Sequence, residues 1–154
     1  MCTFYCMDEE KWMMAALKEA RKADLRNEVP IGAVIVKDNK IIARAHNLKE
    51  ASKRSIAHAE ILAIEKADRY IKDWRLNECE LYVTIEPCLM CVGAIIQSRI
   101  KKVVYGAADK KFGAIESVIQ AFTFPGWNHY PEIISGVCSS ECSQIIMDYF
   151  ARKR

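Results

Sequence analysis

Leu81 to Ile85 is a short apolar, β-branched run, and the stretches on either side of it carry helical spacing instead. That change of period restricts the fold most, because a strand buried on both faces needs helices above and below it. The same alternation runs through the chain. Asp8 to Arg26 reads as a helix: Asp8 caps the first turn, Glu9 and Glu10 suit the positive end of the dipole, and Trp12, Ala16 and Ala20 recur on one face. Val29-Pro30-Ile31-Gly32 breaks that pattern. Ala33 to Val36 and Ile41 to Ala45 then form a hairpin about the turn Lys37-Asp38-Asn39-Lys40.

Ala57 to Tyr70 has helical spacing, and Pro87 to Ser98 is helical, with proline in the first turn, where its missing N–H is harmless. Val103-Val104-Tyr105 and Glu132 to Ser135 read as two more strands. Ser139 to Arg154 closes the chain as an amphipathic helix, with Ile145, Ile146, Tyr149 and Phe150 available for burial and a basic end, Arg152-Lys153-Arg154, that complements the dipole. Five strands interleaved with helices predict an α/β fold, a three-layer α/β/α sandwich around a mixed five-stranded sheet. With 154 residues and no repeat, low-complexity tract or linker, residues 1–154 read as a single domain.

Composition matters here mainly for what it rules out. No apolar run approaches the ~18 residues of a membrane span. Met1 to Met7 holds no basic residue and leads straight into Asp8-Glu9-Glu10, unlike a secretory signal, so the expected location is cytoplasmic. Met7 is a second candidate start, with the first six residues an extension. A net charge of +3 permits an anionic partner without demanding one. Seven cysteines, an odd number in a chain without an export signal, argue for reduced thiols, some of them metal ligands, over a disulfide framework.

Pro87-Cys88-Leu89-Met90-Cys91 is the first chemical signal. On a helix, positions three apart share a face, and in a first turn the dipole favours thiolate. Two such thiolates suit zinc, although a lone pair of this kind is equally a buried inert pair or a redox pair. His58-Ala59-Glu60 lies thirty residues before Cys88. An imidazole and two thiolates make a three-ligand site, and three ligands leave a catalytic zinc one position for water, whereas four would make it structural. His46 and His129 read as surface or substrate-side residues. Glu60 can carry the proton of that water, provided the motif lies at a helix start, because residues two apart face different ways on a regular helix.

These residues resemble a known signature. H-x-E followed by P-C-x-x-C is similar to the motif of the zinc nucleoside and nucleobase deaminases. More narrowly, the chain resembles the bacterial tRNA-specific adenosine deaminases nearly end to end. The matching blocks are Asn27-Glu28-Val29-Pro30-Ile31-Gly32-Ala33-Val34, Ala57-His58-Ala59-Glu60-Ile61, Leu81-Tyr82-Val83-Thr84-Ile85-Glu86-Pro87-Cys88 and Ser98-Arg99-Ile100. They continue through Gly106-Ala107-Ala108-Asp109 with Lys111 and Gly113, Pro125-Gly126-Trp127-Asn128-His129, and the helix holding Glu141-Cys142.

The resemblance implies a cytidine deaminase-like fold and hydrolysis of adenosine to inosine at the wobble position of tRNA anticodons. It implies one Zn2+ per subunit on His58, Cys88 and Cys91, Glu60 as the catalytic acid and base, no organic cofactor, and a homodimer. It places Asn47 on the purine or its ribose and Glu28 near the target nucleotide. Asp109, Lys111, Asn128 and His129 fall where the family holds the anticodon loop, with Lys153 and Arg154 towards the RNA backbone. An anticodon loop already splays its bases, so inserting one costs less than flipping it from a duplex. The chain departs from the family at Lys53-Arg54-Ser55-Ile56, where a Pro-Thr pair is usual. The remaining cysteines, Cys2, Cys6, Cys79, Cys138 and Cys142, carry no family role; the four-apart pairs Cys2/Cys6 and Cys138/Cys142 read as packing before a second metal site.

Overall fold

The computed structural model describes residues 6–154, with side chains from Asp8 onward. Cys2 and the side chains of Cys6 and Met7 lie outside the described residues, and with them the Cys2/Cys6 pair and the question of the start at Met7. Helix α1 (Cys6–Leu25) leads into β1 (Gly32–Lys37) and β2 (Lys40–His46), a short α2 (Lys49–Ser52) and α3 (Ala59–Ile71). Then come β3 (Cys79–Ile85), α4 (Leu89–Ser98), β4 (Lys102–Ala107), a single 3-10 turn at Ala121–Thr123, β5 (Glu132–Ile134) and α5 (Ser139–Lys153). All five expected strands form. The additions are α2 and the 3-10 turn, which are too short to show a period.

The sheet runs β2-β1-β3-β4-β5. β1 is antiparallel to both β2 and β3, while β3, β4 and β5 are mutually parallel neighbours. Asp38 and Asn39 both take positive φ in the two-residue turn between β1 and β2, the conformation whose twist matches a hairpin. β1 is buried along its first five residues, so its alternation feeds two cores. Ala33 and Ile35 face a cluster with Ala59, Ala63 and Ala67 of α3 and Val92 and Ile95 of α4. Val34 and Val36 face Trp12, Met13, Ala16 and Leu17 of α1 and Cys142 of α5. This is the three-layer sandwich.

Two glycines show how tightly the outer helices sit. A Cβ on Gly32 would stand 2.0 Å from the Ala16 carbonyl oxygen, and one on Gly106 would stand 2.4 Å from Cys142 Sγ. Cys142 is therefore a small apolar filler under α5, as the packing reading expects, and burial pushes its thiol up to about 12. Of the residues expected to bury the closing helix, Tyr149 is buried, Ile145 and Ile146 are half-buried and Phe150 is exposed. The basic end does more than meet the dipole: Arg152 pairs with Asp24, and Lys153 Nζ donates to Asn27 Oδ1 at 3.2 Å, which ties the last turn of α5 to the end of α1.

The strand directions settle where a site can form. β2, β3 and β4 all point their C-terminal ends to one edge of the sheet, and in an open α/β sheet the crevice beyond those ends is the usual binding place.

Candidate active site

At that edge two helix N-termini converge. His58 is the N-cap of α3 and Cys88 the N-cap of α4, both with extended backbone. The helices thus start two residues later than the spacing predicts, and Pro87 precedes the cap rather than occupying the first turn. The reason is local: Cys88 sits at ψ 174 while its carbonyl already accepts the Val92 N–H at 2.9 Å, the half-in geometry of a cap. Cys91, in the first turn, is fully buried.

His58 Nδ1 lies 3.6 Å from Cys88 Sγ and 3.7 Å from Cys91 Sγ, and the three donor atoms lie within 4.8 Å of one another. A tetrahedral ion with bonds of about 2.0 Å to nitrogen and about 2.3 Å to sulfur separates N from S by about 3.5 Å. The observed spacings match, so these three residues could hold a metal. Between the two thiols the proton is shared unevenly. The Cys91 thiol beside it, then His58, hold Cys88 down to about 4 despite burial. Cys91, next to that thiolate and deeply buried, is pushed far up, and His58 is raised by its contact with Cys88.

Glu60 occupies the second position of α3 and is 3% exposed. Because His58 is a cap rather than a helical residue, ligand and carboxylate can both address the space off the helix end. Burial, with the Cys88 charge behind it, pushes the Glu60 carboxyl above the usual carboxylate range.

The other expected residues form two groups. Asn47 follows β2 and is buried; its Oδ1 accepts the Lys49 N–H at 3.1 Å and its Nδ2 donates to the Val29 carbonyl at 3.3 Å. Glu28 is fully buried, and its two oxygens accept the N–H groups of Glu50 at 2.9 Å and Ala51 at 2.7 Å, so it holds the first turn of α2. Past β4, Asp109 Oδ1 accepts the N–H groups of Lys111 and Phe112, both at 3.0 Å, and leaves the Lys111 side chain exposed. Asn128 is exposed and lines, with Leu89 next to Cys88, an open groove of about 330 Å³. His129 Nε2 lies 2.6 Å from the Ile100 carbonyl oxygen. His46 faces α1 rather than the site, with Nδ1 3.2 Å from Glu19 Oε1.

One residue without an expected role stands out. Glu86, 1% exposed, lies between β3 and Cys88 and accepts four backbone N–H groups and one hydroxyl from the 109–117 loop. Burial raises its pKa, but the N–H groups of Glu116, Ser117 and Asp109 and the Ser117 hydroxyl outweigh it, and the carboxyl is held low. Its only sequence signal is an acidic residue at the end of a strand buried on both faces.

Residues 7–154 match the model of the MafB19-like deaminase family. The tRNA-specific adenosine deaminase of Bacillus subtilis is 47% identical over 146 residues, 95% of this chain and 91% of that one. That of Streptococcus pyogenes is 44% identical over 151 residues, 97% of this chain and 88% of that one. A structure solved in a study of A-to-I editing by tRNA:A34 deaminases is 45% identical, covers 88% of this chain and 98% of its own, and superposes with a TM-score of 0.85. With catalytic geometry, fold and sequence in agreement, the chain belongs to the MafB19-like deaminase family, in the group of the tRNA-specific adenosine deaminases.

Proposed function

We infer that this chain hydrolyses adenosine to inosine at wobble position 34 of tRNA anticodons, the reaction studied in its structural neighbour. Residues 1–154 act as one deaminase domain. The observation that carries the reading is Glu60, buried in the first turn of the very helix that His58 caps, where His58 Nδ1 lies 3.6 and 3.7 Å from the sulfurs of Cys88 and Cys91. The donor set, one imidazole and two thiolates, suits zinc, one per subunit, held by His58, Cys88 and Cys91. When bound there, zinc lowers the pKa of a water from ~15.7 to near 7.

Glu60 does the proton work. Its carboxylate takes a proton from the attacking water and passes it to the ring nitrogen beside C6. It then takes the second proton, from the hydroxyl now on C6, and gives it to the departing amine, so that adenosine and water become inosine and ammonia. Buried in the first turn of α3, the Glu60 carboxyl keeps the proton inside the site between one transfer and the next. No organic cofactor enters this scheme.

Around that centre, Asn47 orients the purine or its ribose. Glu28 acts near the target nucleotide, and the α2 turn that it holds offers a route for that effect. Asp109, Lys111, Asn128 and His129 receive the anticodon loop. Exposed Leu89 (57%) and Met90 (36%) on α4 support a homodimer. Among the described residues no helix is long and apolar enough to cross a membrane, which is compatible with a cytoplasmic enzyme.

The reading is tested with an anticodon stem-loop bearing adenosine at the wobble position. Inosine should form with wild-type protein, while free guanine and cytidine should stay unchanged. Deamination of either free base or nucleoside but not of the stem-loop would defeat the substrate assignment and leave the metal site standing. Sedimentation of the purified protein decides the dimer.

A further inference from the structure

We propose that Glu86 is a positioning residue: a single buried carboxylate that holds the 109–117 loop in register with the ligand Cys88, and so sets how tightly substrate RNA is held. The geometry is specific. Glu86 Oε1 accepts the Asp109 N–H at 3.1 Å and the Ser117 hydroxyl. Oε2 accepts the N–H groups of Ile115 at 3.0 Å, Glu116 at 2.8 Å and Ser117 at 3.0 Å. The backbone on either side of the carboxylate adds to the tie: the Glu86 N–H donates to the Ala107 carbonyl at 2.8 Å, and the Ala114 N–H donates to the Pro87 carbonyl at 2.9 Å. The loop is thereby bonded to both residues that precede Cys88.

The loop's own bonds are local turns, with the Gly113 N–H on the Asp109 carbonyl at 2.9 Å and the Val118 N–H on the Gly113 carbonyl at 3.0 Å, while Ala114 and Ile115 are buried in the core. Its tie to the segment before Cys88 runs through Glu86 and Pro87. Between Ala107 and Ala121 the loop forms no helix or strand, and many of its side chains, including Lys110, Lys111 and Phe112, are exposed. Backbone N–H groups turned inward need an acceptor, and a carboxylate with two oxygens can satisfy several at once. Gly113 shows how closely the loop is wrapped around that acceptor: a Cβ there would stand 2.4 Å from Glu86 Cδ and 2.5 Å from its Oε1. Asp109 and Lys111, proposed above to meet the anticodon loop, lie on this same segment. The kinetic consequence rests on the RNA-deaminase reading; the hold on the loop does not.

Glu86→Gln is the sharpest variant, because an amide keeps the shape but turns N–H groups toward N–H groups. Three quantities are measured on the metal-loaded protein: amide hydrogen exchange across 109–117, zinc per chain, and kcat and KM on the anticodon stem-loop. The expectation is unchanged zinc content, exchange faster by about tenfold or more, KM raised by about tenfold, and kcat within about threefold. Ser117→Ala removes one of the five bonds and should shift exchange and KM the same way by about threefold, which keeps the test open if Glu86→Gln fails to fold.

Unchanged loop exchange in both variants overturns the proposal. So does a parallel fall of zinc content, kcat and melting temperature with KM unmoved, since that is what loss of ordinary stability produces. Should wild-type protein leave the stem-loop unreacted, the RNA reading fails, and the exchange arm alone still decides whether Glu86 holds the loop.

Discussion

His58 Nδ1 and Cys88 Sγ stand 3.6 Å apart across thirty residues of chain, each at the cap of a different helix. Two dipole-positive helix ends facing one point favour thiolate there, and burial of Cys91 and Glu60 keeps bulk water at a distance. The chemistry of the site follows from that convergence.

Removing a ligand should therefore remove the metal and the activity together. Cys91→Ala, or dialysis against a chelator, is expected to lower bound zinc in step with inosine formation. The loss should exceed about a hundredfold, since a metal's effect on such a reaction is worth several kcal/mol. Metal analysis beside a stem-loop assay checks this; full activity in metal-free protein would sink the three-ligand assignment.

Glu60→Ala should separate binding of zinc from chemistry. The three ligands remain, so zinc content should match the parent, while kcat falls by about 10²–10⁴, the usual contribution of a positioned acid and base. A variant that makes inosine at the parent rate would show that the proton travels by another group.

Gly106→Ala tests the packing of α5. The new Cβ would meet Cys142 Sγ at 2.4 Å and the Thr84 carbonyl oxygen at 2.9 Å, and overpacking of this kind costs about 1–3 kcal/mol. Chemical denaturation should show that loss. Adding Cys142→Ala should recover only part of it, because the Thr84 carbonyl is main chain and cannot swing away.

Glu19 should make stability fall in acid. Burial raises its pKa, but the bonds to Lys22 at 2.6 Å and His46 at 3.2 Å prevail and hold it below the usual value of 4.5. A carboxyl depressed in the folded state contributes stability that is fully present above its unfolded pKa and is lost as pH drops through the folded one. Glu19→Gln should thus be less stable than the parent at pH 7, by about 1.5–3 kcal/mol for hydrogen bonds to a charged group. The gap should close below about pH 4. Denaturation curves at several pH values follow it, and a constant gap would show that the charge is not responsible.

Much of this molecule can be read from one dimension. The strands announce themselves by β-branched runs, and α1, α3, α4 and α5 by their periods. The chemistry of imidazole and thiolate names His58, Cys88 and Cys91 as candidate metal donors without coordinates, and a carboxylate two residues from such a donor requires a helix start, which is where α3 begins.

What only the tertiary structure decided is which acidic side chains work as acceptors for distant backbone. Resemblance gives Glu28 a place near the target nucleotide and Glu86 no role of its own, yet each is buried and turned on N–H groups 22 to 31 residues away. A period reports which face of an element is apolar, and a metal-ligand spacing reports which donors can share an ion. Neither reports where an irregular loop will bring its unpaired N–H groups. That depends on long-range closure, which exists only once the sheet has gathered β3 and β4 side by side.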